Sequence, residues 1–236
     1  MEFAVIMASG LGTRMRPLTE NTPKPLLKVN GKPMAETVID ALEKRGVAEI
    51  AIVVGYLGEQ FAYLTEKYPN VRIIINHDYE TVNNISSIYY ARDFLRAGDC
   101  FICEADLFAH NENVLCGDYQ QSGYFGKWVS GHTGDWVFDR NAEGRITRVG
   151  KVGEDCYAMV GVSYFKKADA VLDADAVEAA YGKGDYADLF WDDIVNRSLD
   201  RLNLCVYPLE TDDIIEIDTP AELDAVNKRF GGNHEG

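Results

Sequence analysis

Met7-Ala-Ser-Gly-Leu-Gly-Thr-Arg-Met-Arg-Pro-Leu-Thr19, continued by Thr22-Pro-Lys-Pro25, follows directly on the apolar run Glu2–Ala8. A short apolar run that ends in a glycine-containing segment reads as a buried parallel strand feeding a loop. Gly10 and Gly12 permit unusual backbone angles there and let backbone N–H groups come close to a phosphate. Two familiar phosphate loops do not fit. A Walker A loop needs Gly-Lys-Ser/Thr after its second glycine, and the dinucleotide fingerprint needs a third glycine where Met15 stands. Pro17, Pro23 and Pro25 exclude an immediate long helix. Between Gly10 and Lys32 the cations Arg14, Arg16, Lys24, Lys28 and Lys32 face only Glu20, in a chain whose formal net charge is −15. Charge alone leaves two readings open, a focused site for a small anion or a solvated loop.

Working outward, strands are expected at Glu2–Ala8, Glu49–Val54, Val71–Asn76 and Cys100–Ala105. They alternate with helical periods around 35–44, 61–67 and 85–95. Such alternation predicts a Rossmann-like α/β fold: a mixed, mainly parallel sheet with helices on both faces. From Lys127 the pattern changes to strands at 127–130, 136–138, 146–149 and 158–165, with a turn at Asn141-Ala-Glu-Gly144. Helices follow at 168–180 and 190–197, then strands at 204–207 and 214–217. Thr219 is placed to cap a last helix that begins at Pro220. With no repeat or linker, one domain over 1–236 is expected: a nucleotide-binding half (1–125), an acceptor-binding half (126–230) and a frayed tail (231–236).

The hydrophobic fraction of 47% suffices for a core. No apolar run approaches the roughly 18 residues of a membrane span, and the first residues have no secretory signature. Strong negative charge argues against nucleic acid or an anionic membrane as partner. Cys100 and Cys103 form a CxxC, but Phe101-Ile102 between them reads as strand and no second pair follows. Buried free thiols in a reducing cytoplasm are expected in preference to zinc or redox chemistry.

The run Gly10-Leu-Gly-Thr-Arg14, Pro17-Leu-Thr19 and Pro23-Lys24 resembles the signature of sugar-phosphate nucleotidylyltransferases and their cytidylyltransferase relatives. Within them the likeness is greatest to the bacterial CTP:phosphocholine cytidylyltransferases, which share the nucleotide-diphospho-sugar transferase-like fold. It extends through Val53-Val-Gly-Tyr56, Asn83-Asn-Ile-Ser-Ser-Ile-Tyr89, Asp188-Leu-Phe-Trp-Asp192 and Ile215-Glu-Ile-Asp218. The resemblance implies that Arg14 and Lys24 are catalytic, holding the triphosphate as pyrophosphate leaves. It implies a nucleotide site of Ala8, Ser9, Gly10, Gly12 and Thr13, with Gly55, Asn84 and Ser87 toward the base. Ser87 fits a simple helix cap nearly as well.

By the same resemblance Mg²⁺ is the cofactor, with Asp106 and Asp218 as its carboxylates. Glu104 stands where the family carries aspartate, which leaves its contact with the metal open. Trp136, Phe190, Asp192 and Glu216 are implied to line the acceptor pocket, and Lys151 to bind the acceptor phosphate. Aromatic faces with nearby negative charge suit a trimethylammonium group. Trp191 has the right type, but a core position in its helix is an equal reading. The expected reaction is CMP transfer from CTP to phosphocholine. Alternatives are 2-aminoethylphosphonate as acceptor, then a sugar 1-phosphate, and, in another class, a non-catalytic nucleotide-sensing domain. CTP over UTP rests on resemblance alone.

Overall fold

The computed structural model describes residues 1–231. In chain order it holds β1 (Glu2–Ala8), β2 (Lys28–Val29), β3 (Lys32–Pro33), α1 (Met34–Arg45), β4 (Glu49–Val54), α2 (Tyr63–Lys67) and β5 (Val71–Ile75). Then come α3 (Ile85–Ala97), β6 (Asp99–Glu104), β7 (Leu107–Ala109), β8 (Gly123–Arg140) and β9 (Ile146–Phe165). The chain continues through α4 (Lys167–Ala180), α5 (Trp191–Arg197), β10 (Cys205–Pro208), β11 (Ile214–Glu216) and α6 (Pro220–Phe230).

Seven strands form one mixed sheet in the order β10-β8-β9-β6-β1-β4-β5. Its β6-β1-β4-β5 part is parallel, and β9 runs antiparallel to both β6 and β8. The period of two along β1 divides the core between the faces. Ala4, Ile6 and Ala8 pack with Val38, Ile39 and Leu42 of α1, while Val5 turns the other way onto Ile85, Ile88 and Leu95 of α3. Helices therefore cover both faces, as the alternation predicts.

The acceptor half differs from expectation. The four short strands expected between 127 and 165 are two long ones, β8 and β9. The polar, glycine-bearing stretch around 130–135 reads as a turn, yet it only shifts the ladder register between Val129 and Trp136. A bulged ladder tolerates such residues by bending locally. The turn at 141–144 is present, closed by a hydrogen bond from Gly144 N–H to the Asn141 carbonyl at 3.0 Å. β7 has no counterpart in the sequence reading, because three residues paired only with the distant β11 leave no local period.

The CxxC cannot converge on one ion. Cys100 packs in the core layer under α3 and Cys103 in the layer under α1, since residues three apart in a strand face opposite ways. Both are free thiols, and burial pushes the Cys103 thiol up to about 12. No helix among the described residues is long and apolar enough to cross a membrane. At the C-terminal end Gly231 N–H closes α6 on the Asn227 carbonyl at 2.7 Å. The rest of the expected frayed tail, 232–236, lies outside the described residues.

Candidate active site

The carboxyl ends of β1 and β6, with Asn76 just past β5, open into a cavity of about 810 Å³, the edge where open α/β sheets take their ligands. The glycine loop leaves β1 at its rim. Gly12 has φ +60, and a Cβ there would lie 3.0 Å from Lys24 Cβ and 3.1 Å from Thr19 Cγ2. Thr19 Oγ1 donates to the Gly12 carbonyl at 2.8 Å, locking the bend. Gly10 is a different case. A Cβ on it would meet nothing within 4 Å, and the residue opens onto the cavity. Ala8, Ser9 and Thr13 share that rim. Ser9 Oγ donates to the Val53 carbonyl at 3.0 Å and lies 3.4 Å from Ser87 Oγ, so loop, β4 and α3 meet at one point.

Tertiary pairing assembles the charges. β7 and β11 run antiparallel with Leu107 opposite Glu216, and Ile217 N–H donates to the Asp106 carbonyl at 3.1 Å. That register sets Asp218 beside Asp106. Glu222 Oε2 accepts from both the Asp218 and the Thr219 backbone N–H at 2.8 Å, while Thr219 Oγ1 accepts from Glu222 N–H, so the expected cap also anchors Asp218. Lys24 is 7% exposed, and its Nζ donates to Asp106 Oδ2 and Asp218 Oδ1, both at 2.6 Å. Arg14 Nη1 donates to Asp218 Oδ2 at 2.6 Å from the open rim.

Electrostatics follow from this packing. Burial works to lower the Lys24 pKa, but Asp106 and Asp218 outweigh it and hold the ammonium above its ordinary value. Asp218 is pressed upward by burial and brought below its ordinary value by Lys24 and Arg14. Glu104, Asp106 and Glu216 bring carboxylate oxygens within 4.8 Å of one another. Glu104 is raised well above the carboxylate range, first by burial and then by the charges of Asp106, Glu216 and Asp192. Glu216 is exposed toward the cavity, yet reduced solvation and the charges of Asp106 and Asp218 raise it to about 7. Asp106 Oδ1 is buried without a hydrogen-bond partner.

On the acceptor side Trp136 of β8 and Lys151 of β9 are register partners. Trp136 meets Phe190 edge to face at 5.4 Å, and Lys151 Nζ lies 5.6 and 5.3 Å from the two ring centres. Asp192 sits one layer deeper than expected. It is 3% exposed, takes a hydrogen bond from Tyr124 OH at 3.0 Å and is raised by burial to about 7. It lines a separate hollow of about 10 Å³, whose wall includes Glu104 and Met159 of the main cavity. Trp191 takes the core reading: it stacks on Tyr124 at 5.8 Å and packs on Phe165 at 6.0 Å.

The chain matches the MobA-like NTP transferase domain over residues 4–117. It is 54% identical over 227 residues to the 2-aminoethylphosphonate cytidylyltransferase of Lancefieldella rimae, covering 96% of this chain and 92% of that one. It is 36% identical to the choline-phosphate cytidylyltransferase of Streptococcus pneumoniae, over 92% and 93% of the two chains. The solved structure of the CTP:phosphocholine cytidylyltransferase from that organism superposes with a TM-score of 0.89 at 34% identity, covering 97% of this chain and 98% of that one. The chain belongs to the cytidylyltransferase family.

The cytidylyltransferase cavity also includes residues that sequence reasoning passed over. Tyr79 packs so close to Gly55 that a Cβ there would lie 2.5 Å from its ring, and nothing local marks Tyr79 for this. Glu222 borders the cavity; its local signal is the Thr219-x-x-Glu222 spacing of a capping box. Gly161 borders it too, with φ +73 and space for a Cβ closed by Glu104 Oε2 at 2.9 Å.

Proposed function

We propose that this cytidylyltransferase transfers CMP from CTP to 2-aminoethylphosphonate, giving CMP-2-aminoethylphosphonate and pyrophosphate. The observation that carries the choice of acceptor is the position of Lys151. Its ammonium fills the corner between Trp136 and Phe190, the seat that a trimethylammonium group would take against those faces. Lys151 there suits the acceptor's phosphonate, while Glu216 lines the same cavity as an acceptor for a primary ammonium. A primary ammonium donates three hydrogen bonds to such groups and a quaternary one donates none. The relative from Lancefieldella rimae, named for this same acceptor, supports the reading. Phosphocholine is the second reading, supported by the Streptococcus pneumoniae relatives and by the aromatic pair itself.

In the reaction an acceptor oxygen attacks the α-phosphorus of CTP in line. The new P–O bond forms as the bond to the bridging oxygen breaks, and the electron pair leaves with pyrophosphate. Lys24 and Arg14, both carried by the glycine loop and its continuation, offset the charge of the triphosphate through this step. An acceptor phosphonate is ionised at neutral pH, so no side chain need remove a proton. The donor set fits a hard divalent cation: Asp106 keeps a buried unpartnered oxygen, and Asp218 stands beside it on the same Lys24 ammonium. Asp106, with Asp218 once it exchanges Lys24 or Arg14, would hold Mg²⁺. Bound there, Mg²⁺ supplies further neutralisation of phosphate charge.

The test is pyrophosphate release from CTP with 2-aminoethylphosphonate, phosphoethanolamine or phosphocholine. The phosphonate is expected to give the highest kcat/KM, with phosphocholine at least ten-fold lower. A preference for phosphocholine overturns the acceptor reading, and the absence of any release with every acceptor of the panel points to a nucleotide-sensing domain.

A further inference from the structure

Asn84 stands at the start of α3 and makes no side-chain cap on its own helix. Its Oδ1 accepts a hydrogen bond from the backbone N–H of Trp191 at 2.9 Å. That N–H belongs to the first residue of α5, where a helix has no internal partner to offer. A backbone N–H only donates, so the carbonyl end of the Asn84 amide must face it, and the amide orientation follows from chemistry. The Nδ2 end is then left as a donor with no protein partner among the described residues, on a side chain that borders the main cavity.

The neighbouring contacts make this a strap between the two halves. Asn83 N–H donates to the Ala187 carbonyl at 2.8 Å, and Asn83 Nδ2 to the Asp188 carbonyl at 3.4 Å. On the nucleotide side Ser87, one turn along α3, reaches Ser9 of the glycine loop. On the acceptor side the strapped segment leads into Phe190, which packs on Trp136 beneath Lys151.

We propose that Asn84 is a positioning residue with two ends. Oδ1 fixes the start of α5 and with it Phe190, while Nδ2 donates to an acceptor atom of the pyrimidine nucleoside. Binding of CTP and binding of the acceptor substrate are thereby linked, and the linkage is reciprocal. The assay rests on the acceptor reading above only for its choice of substrate.

The two ends are separated by Asn84→Asp and Asn84→Ala. Aspartate keeps the oxygen toward Trp191 and removes the donor. It is expected to raise the KM for CTP about ten-fold and leave the KM for 2-aminoethylphosphonate, at saturating CTP, within about two-fold. Alanine removes both ends, so both KM values are expected to rise about ten-fold. In calorimetry the factor by which a non-hydrolysable CTP analogue tightens acceptor binding should then fall toward one. An unchanged acceptor KM in Asn84→Ala, or equal rises in both KM values for Asn84→Asp, overturns the proposal. Should Asn84→Ala fail to fold, Asn83→Ala, which loosens the same strap at Asp188, is expected to raise the acceptor KM at least three-fold. No rise there overturns it equally. If the wild-type enzyme prefers phosphocholine, the acceptor reading has failed and the same comparisons are made with that substrate.

Discussion

Trp136 and Lys151 stand opposite each other across the β8–β9 ladder, with the Lys151 ammonium 5.6 Å from the centre of the Trp136 ring. Phe190 closes the other side of the same cation at 5.3 Å. A long flexible lysine is thus held by two aromatic faces, and each such contact contributes about 0.5–1 kcal/mol at an open site. The rings act through the lysine as much as on the ligand.

Lys151→Ala is therefore expected to raise the acceptor KM about ten-fold or more, and Trp136→Ala by about three- to ten-fold. The double variant should resemble Lys151→Ala, because the aromatic contribution passes through the missing ammonium. Steady-state kinetics on the four proteins checks this, and strictly additive losses would show that Trp136 contacts the acceptor independently. The KM for CTP should change in none of them.

Lys24 and Arg14 share Asp218 but differ in burial, the Arg14 side chain being 68% exposed and that of Lys24 9%. Lys24→Ala should lower kcat/KM by about 10²–10³-fold, the scale for losing one transition-state cation. It should also lower thermal stability, since Asp106 and Asp218 lose the ammonium between them. Arg14→Ala should lower kcat/KM while leaving stability within about 0.5 kcal/mol, as for an exposed pair. Parallel melting curves and initial rates distinguish the two.

Gly10 and Gly12 predict opposite outcomes. Gly12→Ala places a Cβ at positive φ against Lys24 and Thr19, and is expected to destabilise the protein by about 1–3 kcal/mol with loss of activity. Gly10→Ala meets no protein atom, so the melting temperature should hold while the KM for CTP rises about ten-fold. A Gly10→Ala protein with normal CTP kinetics would place the nucleotide elsewhere.

Asp173 of α4 is fully buried, and neither carboxyl oxygen has a partner. Burial, then the nearby charge of Asp192, holds its pKa well above the carboxylate range. In the unfolded chain the same group ionises near pH 4. Between those two pKa values the native state holds a proton that the unfolded state has lost, so stability falls as pH rises through this window. Asp173→Asn should flatten the fall by up to about 1.4 kcal/mol per pH unit. Chemical denaturation at pH 4.5 and 8 should show the variant close to wild type at the lower pH and more stable at the higher.

How much of this was legible along the chain depends on the range of the interactions concerned. The glycine loop, the apolar runs of the parallel strands and the Thr219 cap are local patterns, and each was legible in the sequence alone. So was the identity of the charged set, since Arg14, Lys24, Asp106 and Asp218 stand in recognisable short motifs. Their partnership was not legible, because it depends on β7 pairing with β11 across more than 100 residues, a register with no local trace. The depth of Asp192 behind Tyr124, the burial of Trp191 and the seat of Lys151 between two rings belong to the same class. Side-chain type can be read from sequence. Which neighbour consumes that side chain's hydrogen bond or charge is decided by packing alone.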